Sequence, residues 1–261
     1  MKTYTKETLI EALLQIRDMG WIPCSRQGNV GSVGNTLEDL LGIQENNLPI
    51  PNAAEWELKC QRMSTNSLIT LFHSEPSPRA MRFVPNILLP YYGWTHQEAG
   101  KKYPESEMSF RQTINAVRRS DRGFMVQVNN KDRKIEISFD AKEVALHHKA
   151  WLDTVSMRIG LSELNPKPYW GFDDLFHIAG TKLLNTFYIE AETKRVQKQT
   201  YFHYKNITIL RGFNLENFIK SIEFGEILVD FDARTGHNHG TKFRTRKNNL
   251  PNLYAEVKKI D

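Results

Sequence analysis

Cysteine is scarce in this sequence: its 261 residues include two, Cys24 and Cys60. Two cysteines cannot form the disulfide framework of a small secreted domain, so a reduced cytoplasmic compartment is expected. The first six residues lack the apolar core of a signal peptide. No run approaches the roughly 18 apolar residues that a membrane-spanning helix needs. We therefore expect a cytoplasmic protein with no membrane partner.

A nucleotide-binding loop is also missing. The segment 26–34 has glycines at a suitable spacing, but it does not end in Gly-Lys-Ser/Thr and follows no clear strand. No nucleotide cofactor is therefore expected. A backbone turn that DNA or a partner can approach closely is a more modest interpretation of these glycines.

The composition suits a folded chain of one large domain or two packed lobes. Hydrophobic residues make up 40% and aromatic residues 11%, which is enough to bury a core. The formal net charge of +5 permits a polyanionic partner without requiring one.

Hydrophobic periodicity predicts both helices and strands along the chain. Helices are expected at 5–19, 37–41, 142–159, 173–184 and 214–224. Strands are expected at 54–60, 67–72, 124–128, 135–139, 186–191, 200–204 and 226–232. The second of these strands is expected to pair with the first, and the two that flank 129–132 form a predicted hairpin.

The strand at 54–60 alternates strictly, so that Glu55, Glu57 and Lys59 share one face and apolar residues the other. Such a face is commonly a solvated set of cross-strand salt bridges, and spacing alone favours that interpretation. The alternative is a metal-dependent phosphodiester hydrolase, in which the acids bind a divalent cation and the lysine stabilises charge on the phosphate.

A basic segment near the end of the chain is the second candidate site. Residues 234–247 contain five lysines and arginines, two histidines and no acid. A solvated basic face is one interpretation, and a His-x-His metal site lacks a third ligand with convincing spacing. The functional alternative is a DNA-reading strand, because arginine can donate two hydrogen bonds to guanine O6 and N7.

Together these segments resemble the MvaI/BcnI family of type II restriction endonucleases, relatives of the mismatch-repair nickase MutH. The order and spacing of several short motifs carry the resemblance: GSVGNTLE at 31–38, IQENNL at 43–48, EWELK at 55–59, SLITLFH at 67–73, YW at 169–170, DL at 174–175, AETK at 191–194 and HNHGTKFR at 237–244.

The resemblance implies a mixed α+β fold of the α/β class, with a restriction-endonuclease-like core and two lobes around a DNA-binding cleft. Residues 1–165 would form the catalytic lobe and 166–261 the DNA-recognition lobe, although the lobes could interleave. It also implies a monomer that cleaves double-stranded DNA at a short GC-rich site of the CC-x-GG type. Mg²⁺ would be the cofactor, with Mn²⁺ as a possible substitute.

Site residues are carried over one by one. Glu57 and Lys59 match the acid and lysine of the family's catalytic motif, and Glu38 matches an acid from the preceding helix. The positions that resemble base-reading residues are His73, His237 and Arg244. His73 would come from the catalytic lobe and His237 and Arg244 from the recognition lobe. Further DNA-contact candidates in the recognition lobe are Asp232, His239, Thr241, Lys242 and Arg246.

One position departs from the family pattern, because Asn52 stands where the family has an aspartate. An amide oxygen can bind a hard cation but supplies no charge, so magnesium affinity should fall. Glu55 could take over as the acid ligand; Asn52 could be an engineered change; or the chain could be a weak or inactive relative. The predicted metal ligands are therefore Asn52, Glu55 and Glu57.

Two other functions remain open at this point: a MutH-like nickase that needs a repair partner, and a catalytically silent DNA-binding module. A second acid-x-lysine string at 190–194 lacks a preceding acidic helix and loop. We interpret it as a structural salt-bridge face.

Overall fold

A computed structural model describes residues 4–28, 31–43, 51, 53 and 55–260. Asn52 lies outside the described residues, so its predicted catalytic and metal-binding roles stay predictions. Within the described part of the chain, no helix has the length and apolar content that crossing a membrane requires.

Six α-helices are present among the described residues. In chain order they are α1 Lys6–Asp18, α2 Ser32–Leu41, α3 Leu89–Tyr92, α4 Lys149–Ile159, α5 Phe172–Leu183 and α6 Leu215–Glu223. Shorter turns of 3₁₀-helix lie at Arg79–Met81, Leu146–His148 and Leu250–Leu253, and a π-helical turn lies at Val84–Leu88.

The strands carry most of the remaining regular structure. They are β1 Ile22–Pro23, β2 Glu57–Arg62, β3 Ile69–His73, β4 Trp94–Thr95, β5 Met108–Ile114, β6 Arg122–Asn129, β7 Lys134–Val144, β8 Tyr169–Gly171, β9 Asn185–Val196, β10 Gln199–Phe213, β11 Ile227–Arg234, β12 His237–Asn238, β13 Lys242–Thr245 and β14 Tyr254–Ile260. The predicted mixed α+β fold is confirmed.

Contacts divide the chain into two compact units that interleave in sequence. Unit 1 comprises residues 1–69, 176–217 and 246–261, and unit 2 comprises 70–175 and 218–245. The chain therefore passes between the units four times. The resemblance implied lobes at 1–165 and 166–261 that could interleave, and this division into lobes stays a prediction. Which of the units is catalytic and which reads DNA stays a prediction.

Unit 1 is built on a sheet with the strand order β1-β10-β9-β2, in which β14 also pairs with β10. Helix α1 begins after Thr5, which caps it by accepting a hydrogen bond from the backbone N–H of Thr8. Its apolar stripe (Leu9, Leu13 and Ile16) packs into the core of this unit.

Strand β2 is parallel to β9, with Leu58 opposite Phe187. The predicted pairing of β2 with the next strand in sequence is wrong, because β3 lies in a sheet of unit 2. Parallel strands need a long connection, and they are usually covered on both faces. Periodicity within 54–72 carries no information about a partner that lies more than a hundred residues further along the chain.

Unit 2 contains a sheet with the order β3-β13-β11-β5-β4, to which β12 adds through β11. A second, three-stranded sheet has the order β6-β7-β8 and includes the predicted hairpin. Fully buried phenylalanines fill this unit: Phe110, Phe124, Phe139, Phe231 and Phe243. Edge-to-face and stacked contacts of these rings stabilise the sheets that carry the polar residues of this unit.

Candidate functional site

The acidic strand begins later than predicted. Ala53 and Trp56 exchange backbone hydrogen bonds of 2.9 Å in both directions, which closes a tight turn, and β2 starts at Glu57. Glu55 lies exposed in this turn and not on the strand face that Glu57 and Lys59 share. The expectation of three charged residues on one strand face is therefore corrected to two. The role of Glu55 as a metal ligand stays a prediction.

Glu57 is buried rather than solvated, with 2% of its surface exposed. Its Oε1 lies 2.7 Å from Nζ of Lys59 and 3.7 Å from Nζ of Lys182, which comes from the last turn of α5. A carboxylate can be charged at this depth only when cations compensate it. The solvated salt-bridge interpretation does not fit this arrangement.

The environment of Lys182 is unusual for a lysine. Burial lowers its pKa below 10.5 and is the largest effect, although the charge of Glu57 acts in the opposite direction. The charge of Glu38 on α2 also favours the ammonium form of Lys182. We call Glu38, Glu57, Lys59 and Lys182 the Glu57 cluster; all four belong to unit 1.

Helix α2 is longer than predicted, and it packs directly on β2. It begins at Ser32 and ends at Leu41, and the next residue, Gly42, caps it in the left-handed conformation with a φ of +68°. The Ser32 hydroxyl accepts a 3.2 Å hydrogen bond from Arg62 at the end of β2. A Cβ on Gly34 would lie 4.0 Å from Cβ of Cys60. Glu38 therefore lies on the helix that covers β2, the strand that carries Glu57 and Lys59.

The second acid-x-lysine string, on β9, has a different environment. Glu190 bonds to Lys247 and Asn206, at 3.3 and 3.0 Å, and Glu192 lies 2.9 Å from Lys205. Lys194 is exposed and lies over the ring of Trp21, 4.2 Å from its centroid. These surface contacts are the features of a structural salt-bridge face.

In unit 2, His73 and the turn at 237–241 lie together. Glu75 anchors the turn: Oε1 accepts from the backbone N–H of Thr241 at 2.8 Å and from the Asn238 amide at 3.3 Å. Thr241 is fully buried and its hydroxyl also donates to Glu75, so we assign it to supporting the turn. Gly240 has a φ of +82°, and a Cβ there would lie 3.3 Å from Cδ2 of His73. Glycine is the residue that allows this close approach.

Strands β5, β11 and β13 carry a set of paired charges that we call the charged face: Arg111, Asp230, Asp232, Lys242 and Arg244. Asp230 accepts from Arg244 at 3.0 Å and from the Thr113 hydroxyl at 2.8 Å. Asp232 lies 3.0 Å from Lys242 and 2.8 Å from Arg111. Each predicted basic DNA contact on β13 is thus held by an aspartate on β11.

The pKa of Asp232 reflects this pairing. Burial raises it, but the hydrogen bond from Lys242 and the charges of Lys242 and Arg111 outweigh burial and bring the pKa below 3.8. Asp232 is therefore ionised at neutral pH, and its two oxygens contact these two cations.

The predicted pair of histidines lies exposed at the tip of the turn. Nε2 of His237 is 3.3 Å from Nδ1 of His239, so the two rings contact each other. Burial lowers the pKa of His239 below 6.5, with a smaller opposing effect from Asp232. A neutral His239 can donate with one ring nitrogen and accept with the other.

Arg246 lies in a different environment from these two histidines. It is exposed and belongs to unit 1, beyond the end of β13. Beside the turn, unit 2 has a cavity of about 670 Å³ whose lining includes Arg79, Arg82, Arg234 and His237. This cavity adds positive charge next to the predicted recognition residues.

Comparison with known proteins identifies the family. The family model described as the MvaI/BcnI restriction endonuclease family matches residues 10–254, which is most of the chain. The chain belongs to this family. By family and fold, it is a type II restriction endonuclease, a site-specific deoxyribonuclease. The comparison with curated proteins finds no match.

Two solved structures of the MvaI/BcnI family share the fold. The restriction endonuclease MvaI in complex with cognate DNA substrate has a TM-score of 0.79 and 24% identity, over 99% of this chain and 100% of that one. MvaI in the absence of DNA has a TM-score of 0.54 and 23% identity, with 100% of both chains covered.

Restriction endonucleases of the MvaI/BcnI family generally use divalent metals, and the Glu57 cluster is suited to one. Oε2 of Glu57 is buried, and it accepts no hydrogen bond from any residue in the described part of the chain. A buried carboxylate oxygen without a donor is a ready ligand for a hard cation. Its other oxygen is fixed by the two lysines, which leaves Oε2 as the side on which an ion would bind.

Four residues around these sites escaped sequence reasoning: Lys182, Glu75, Asp230 and Arg111. Lys182 occupies an ordinary helical position, and nothing nearby in sequence indicates that α5 meets β2. Asp230 could have been found, since Asp230 and Asp232 alternate on the predicted strand 226–232 directly before the basic segment.

Proposed function

We propose that this protein hydrolyses phosphodiester bonds in double-stranded DNA at a short GC-rich site of the CC-x-GG type, with Mg²⁺ as the cofactor and Mn²⁺ as a substitute. The buried, lysine-compensated Glu57 carboxylate carries this proposal, because its Oε2 lacks a donor within the described structure. DNA in the complex of the relative MvaI supports double-stranded DNA as the substrate.

Each residue of the Glu57 cluster has a proposed task. Glu57 would hold the metal through Oε2, with Glu38 and either Glu55 or Asn52 contributing further oxygens. When bound, magnesium would activate a water and neutralise charge on the phosphate. Lys59 would donate to a phosphate oxygen, where its positive charge stabilises the negative charge that develops during hydrolysis.

Lys182 is proposed to compensate the charge of Glu57 when Lys59 turns toward the phosphate. Its Nζ is 3.7 Å from the same Glu57 oxygen that Lys59 contacts. It can therefore compensate Glu57 while Lys59 changes partner. The two lysines balance the two acids Glu38 and Glu57, so a bound divalent ion would supply the net positive charge that attracts a phosphate.

In unit 2, we propose that His73, His237 and Arg244 read base edges in the major groove, with His239 and Lys242 beside them. Asp230 and Asp232 would orient the cations of β13, since pairing restricts the rotamers of long side chains. Arg246 would contact a phosphate, which positions the protein without specifying sequence.

The protein is proposed to act as a monomer in the cytoplasm and without a nucleotide cofactor. Both cysteines are unbridged, as expected in a reduced compartment. A nickase that depends on a repair partner would not cleave bare plasmid, whereas the proposed endonuclease would.

The experiment is cleavage of plasmid DNA by the full chain in Mg²⁺, with sequencing of the ends. The chain offers a matched control, because Glu57-x-Lys59 and Glu192-x-Lys194 present the same pattern on neighbouring strands. We expect discrete ends at one GC-rich site, loss of cleavage in Glu57→Gln, and retained cleavage in Glu192→Gln. Cleavage lost only in the control would move the active site to β9. Tight duplex binding with no cleavage in either metal would instead support a silent DNA-binding protein.

A further inference from the structure

Three side chains that bind transition metals converge at one end of the β6–β7 hairpin in unit 2. Asp121 directly precedes β6, and His147 and His148 end the 3₁₀ turn that leads into α4. One ligand atom from each lies within 4.8 Å of the others. Within the described part of the chain, this is the one group of three such side chains. None of the three belongs to the Glu57 cluster or to the charged face.

The separations are close to those of a coordinated ion. Nε2 of His147 lies 3.8 Å from Oδ2 of Asp121, and the two imidazole centroids are 4.1 Å apart. Zinc binds nitrogen and oxygen ligands at about 2.0–2.2 Å in a tetrahedral arrangement, so two of its ligand atoms lie about 3.4 Å apart. The first pair, at 3.8 Å, needs to close by only a few tenths of an ångström. The other separations need only side-chain rotation, for which the exposed Asp121 and His147 have room.

Backbone hydrogen bonds hold the two segments together before any ion binds. The N–H of Ala145 donates to the Asp121 carbonyl at 2.9 Å, and the N–H of His148 donates to the Ala145 carbonyl at 2.8 Å. Arg122 pairs with Val144 in the adjoining strands. The Cα positions of the three residues are therefore fixed relative to one another, which lowers the conformational cost of coordination.

We propose that Asp121, His147 and His148 form a binding site for a borderline divalent transition metal such as Zn²⁺, with water completing the coordination. Imidazole ligands prefer Zn²⁺, Co²⁺, Ni²⁺ or Cu²⁺, whereas the oxygen ligands of the Glu57 cluster suit Mg²⁺. The charge of Arg122 opposes a cation here, and its guanidinium lies over the ring of Trp94, 3.8 Å from the centroid. A bound ion would join the start of β6 to the start of α4 and so stabilise the hairpin.

The test is calorimetric titration of the chelator-treated full chain with Zn²⁺ in excess Mg²⁺, together with the absorption spectrum of added Co²⁺. Asp121→Asn, His147→Ala and His148→Ala should each weaken Zn²⁺ binding by at least about tenfold. The matched control is His177→Ala, a single exposed histidine on α5 that should leave the affinity unchanged. Glu57→Gln should also retain Zn²⁺ binding, because the proposed site is separate from the Glu57 cluster.

Melting curves distinguish lost coordination from lost folding. Without metal, the three variants should melt near the parent, and only the parent and controls should gain Tm on adding Zn²⁺. Asp121→Glu, which keeps the carboxylate, should bind if Asp121→Asn proves unstable. Unchanged affinity in all three variants, or binding lost only in a His237→Ala/His239→Ala double variant, would overturn the proposal.

Discussion

The two lysines beside Glu57 should differ sharply in their contributions to stability. Lys59 and Lys182 lie 2.7 and 3.7 Å from the same carboxylate oxygen. With an effective dielectric constant of about 20, these separations correspond to attractions of about 6 and about 4.5 kcal/mol. Burial opposes the attraction between Glu57 and Lys182, because burial is the largest effect on Lys182 and lowers its pKa. Burial and the nearby charge of Lys59 together therefore outweigh what the Lys182 ammonium gains from Glu57 and Glu38.

Replacing Lys59 with methionine leaves a buried carboxylate with only the more distant of its two lysines. Removing one partner of a buried ion pair lowers the free energy of unfolding by about 3–5 kcal/mol. Because Lys182 remains, we expect a loss at the lower end of this range. At about 2–4 °C per kcal/mol for a large domain, Tm should fall by about 6–12 °C. Lys182→Met should instead leave Tm unchanged or raise it, because the substitution removes a desolvated charge.

Calorimetric melting at neutral pH, with plasmid cleavage measured in parallel, tests this difference. Both variants should cleave more slowly, so Lys182→Met would be a folded protein with reduced activity. The matched control Lys194→Met removes a surface contact with Trp21 and should cost no more than about 1 kcal/mol. Any stability that Lys182→Met gains should diminish as pH approaches 10.5, since the parent's lysine loses its proton in the folded state first. An equal loss of Tm in Lys182→Met and Lys59→Met would refute the reasoning.

Three further predictions address the remaining sites. Asn52→Asp should cleave faster than the parent in Mg²⁺, since it restores a charged ligand; an equal or slower rate would remove Asn52 from the metal site. Asp230→Asn should lower discrimination between the cleavage site and a singly substituted site by about tenfold or more in competition binding, because Arg244 loses its charged partner; unchanged discrimination would separate Arg244 from base reading. Because the pKa of Asp232 lies below 3.8 when folded, its pairing with Lys242 stabilises fully above that value and is lost as pH falls through the folded pKa. Melting measured from about pH 6 down to about pH 2 should therefore show a shallower acid decline in Asp232→Asn, and parallel curves would contradict the pairing.

The hydrophobic pattern within a short segment was sufficient to predict those helices and strands whose partners lie nearby in sequence. The apolar spacing of 5–19 predicted α1, and the alternation on both sides of 129–132 predicted the β6–β7 hairpin. Boundaries were less accurate where one element follows another directly. The helix predicted from residue 142 begins at Lys149, because β7 continues to Val144.

The chemistry of the candidate site depended on contacts that local pattern does not contain. The spacing of Glu57 and Lys59 indicated an acid and a lysine on one strand face, but it placed that face in solvent. In the folded chain Glu57 is buried and meets Lys182 from the last turn of α5, which is 125 residues from it in sequence. Likewise, Glu75 supports the turn at 237–241 across 166 residues of sequence.

The interleaving of the two units limits how specificity can be exchanged between relatives. Unit 2 consists of two stretches, 70–175 and 218–245, that unit 1 encloses in sequence. A chimera that replaced this unit would need four splice points, and a fusion at any one position would mix residues from both units. If β11 and β13 read bases as proposed, single substitutions on these strands are a more practical route to altered cleavage sites than the exchange of whole segments.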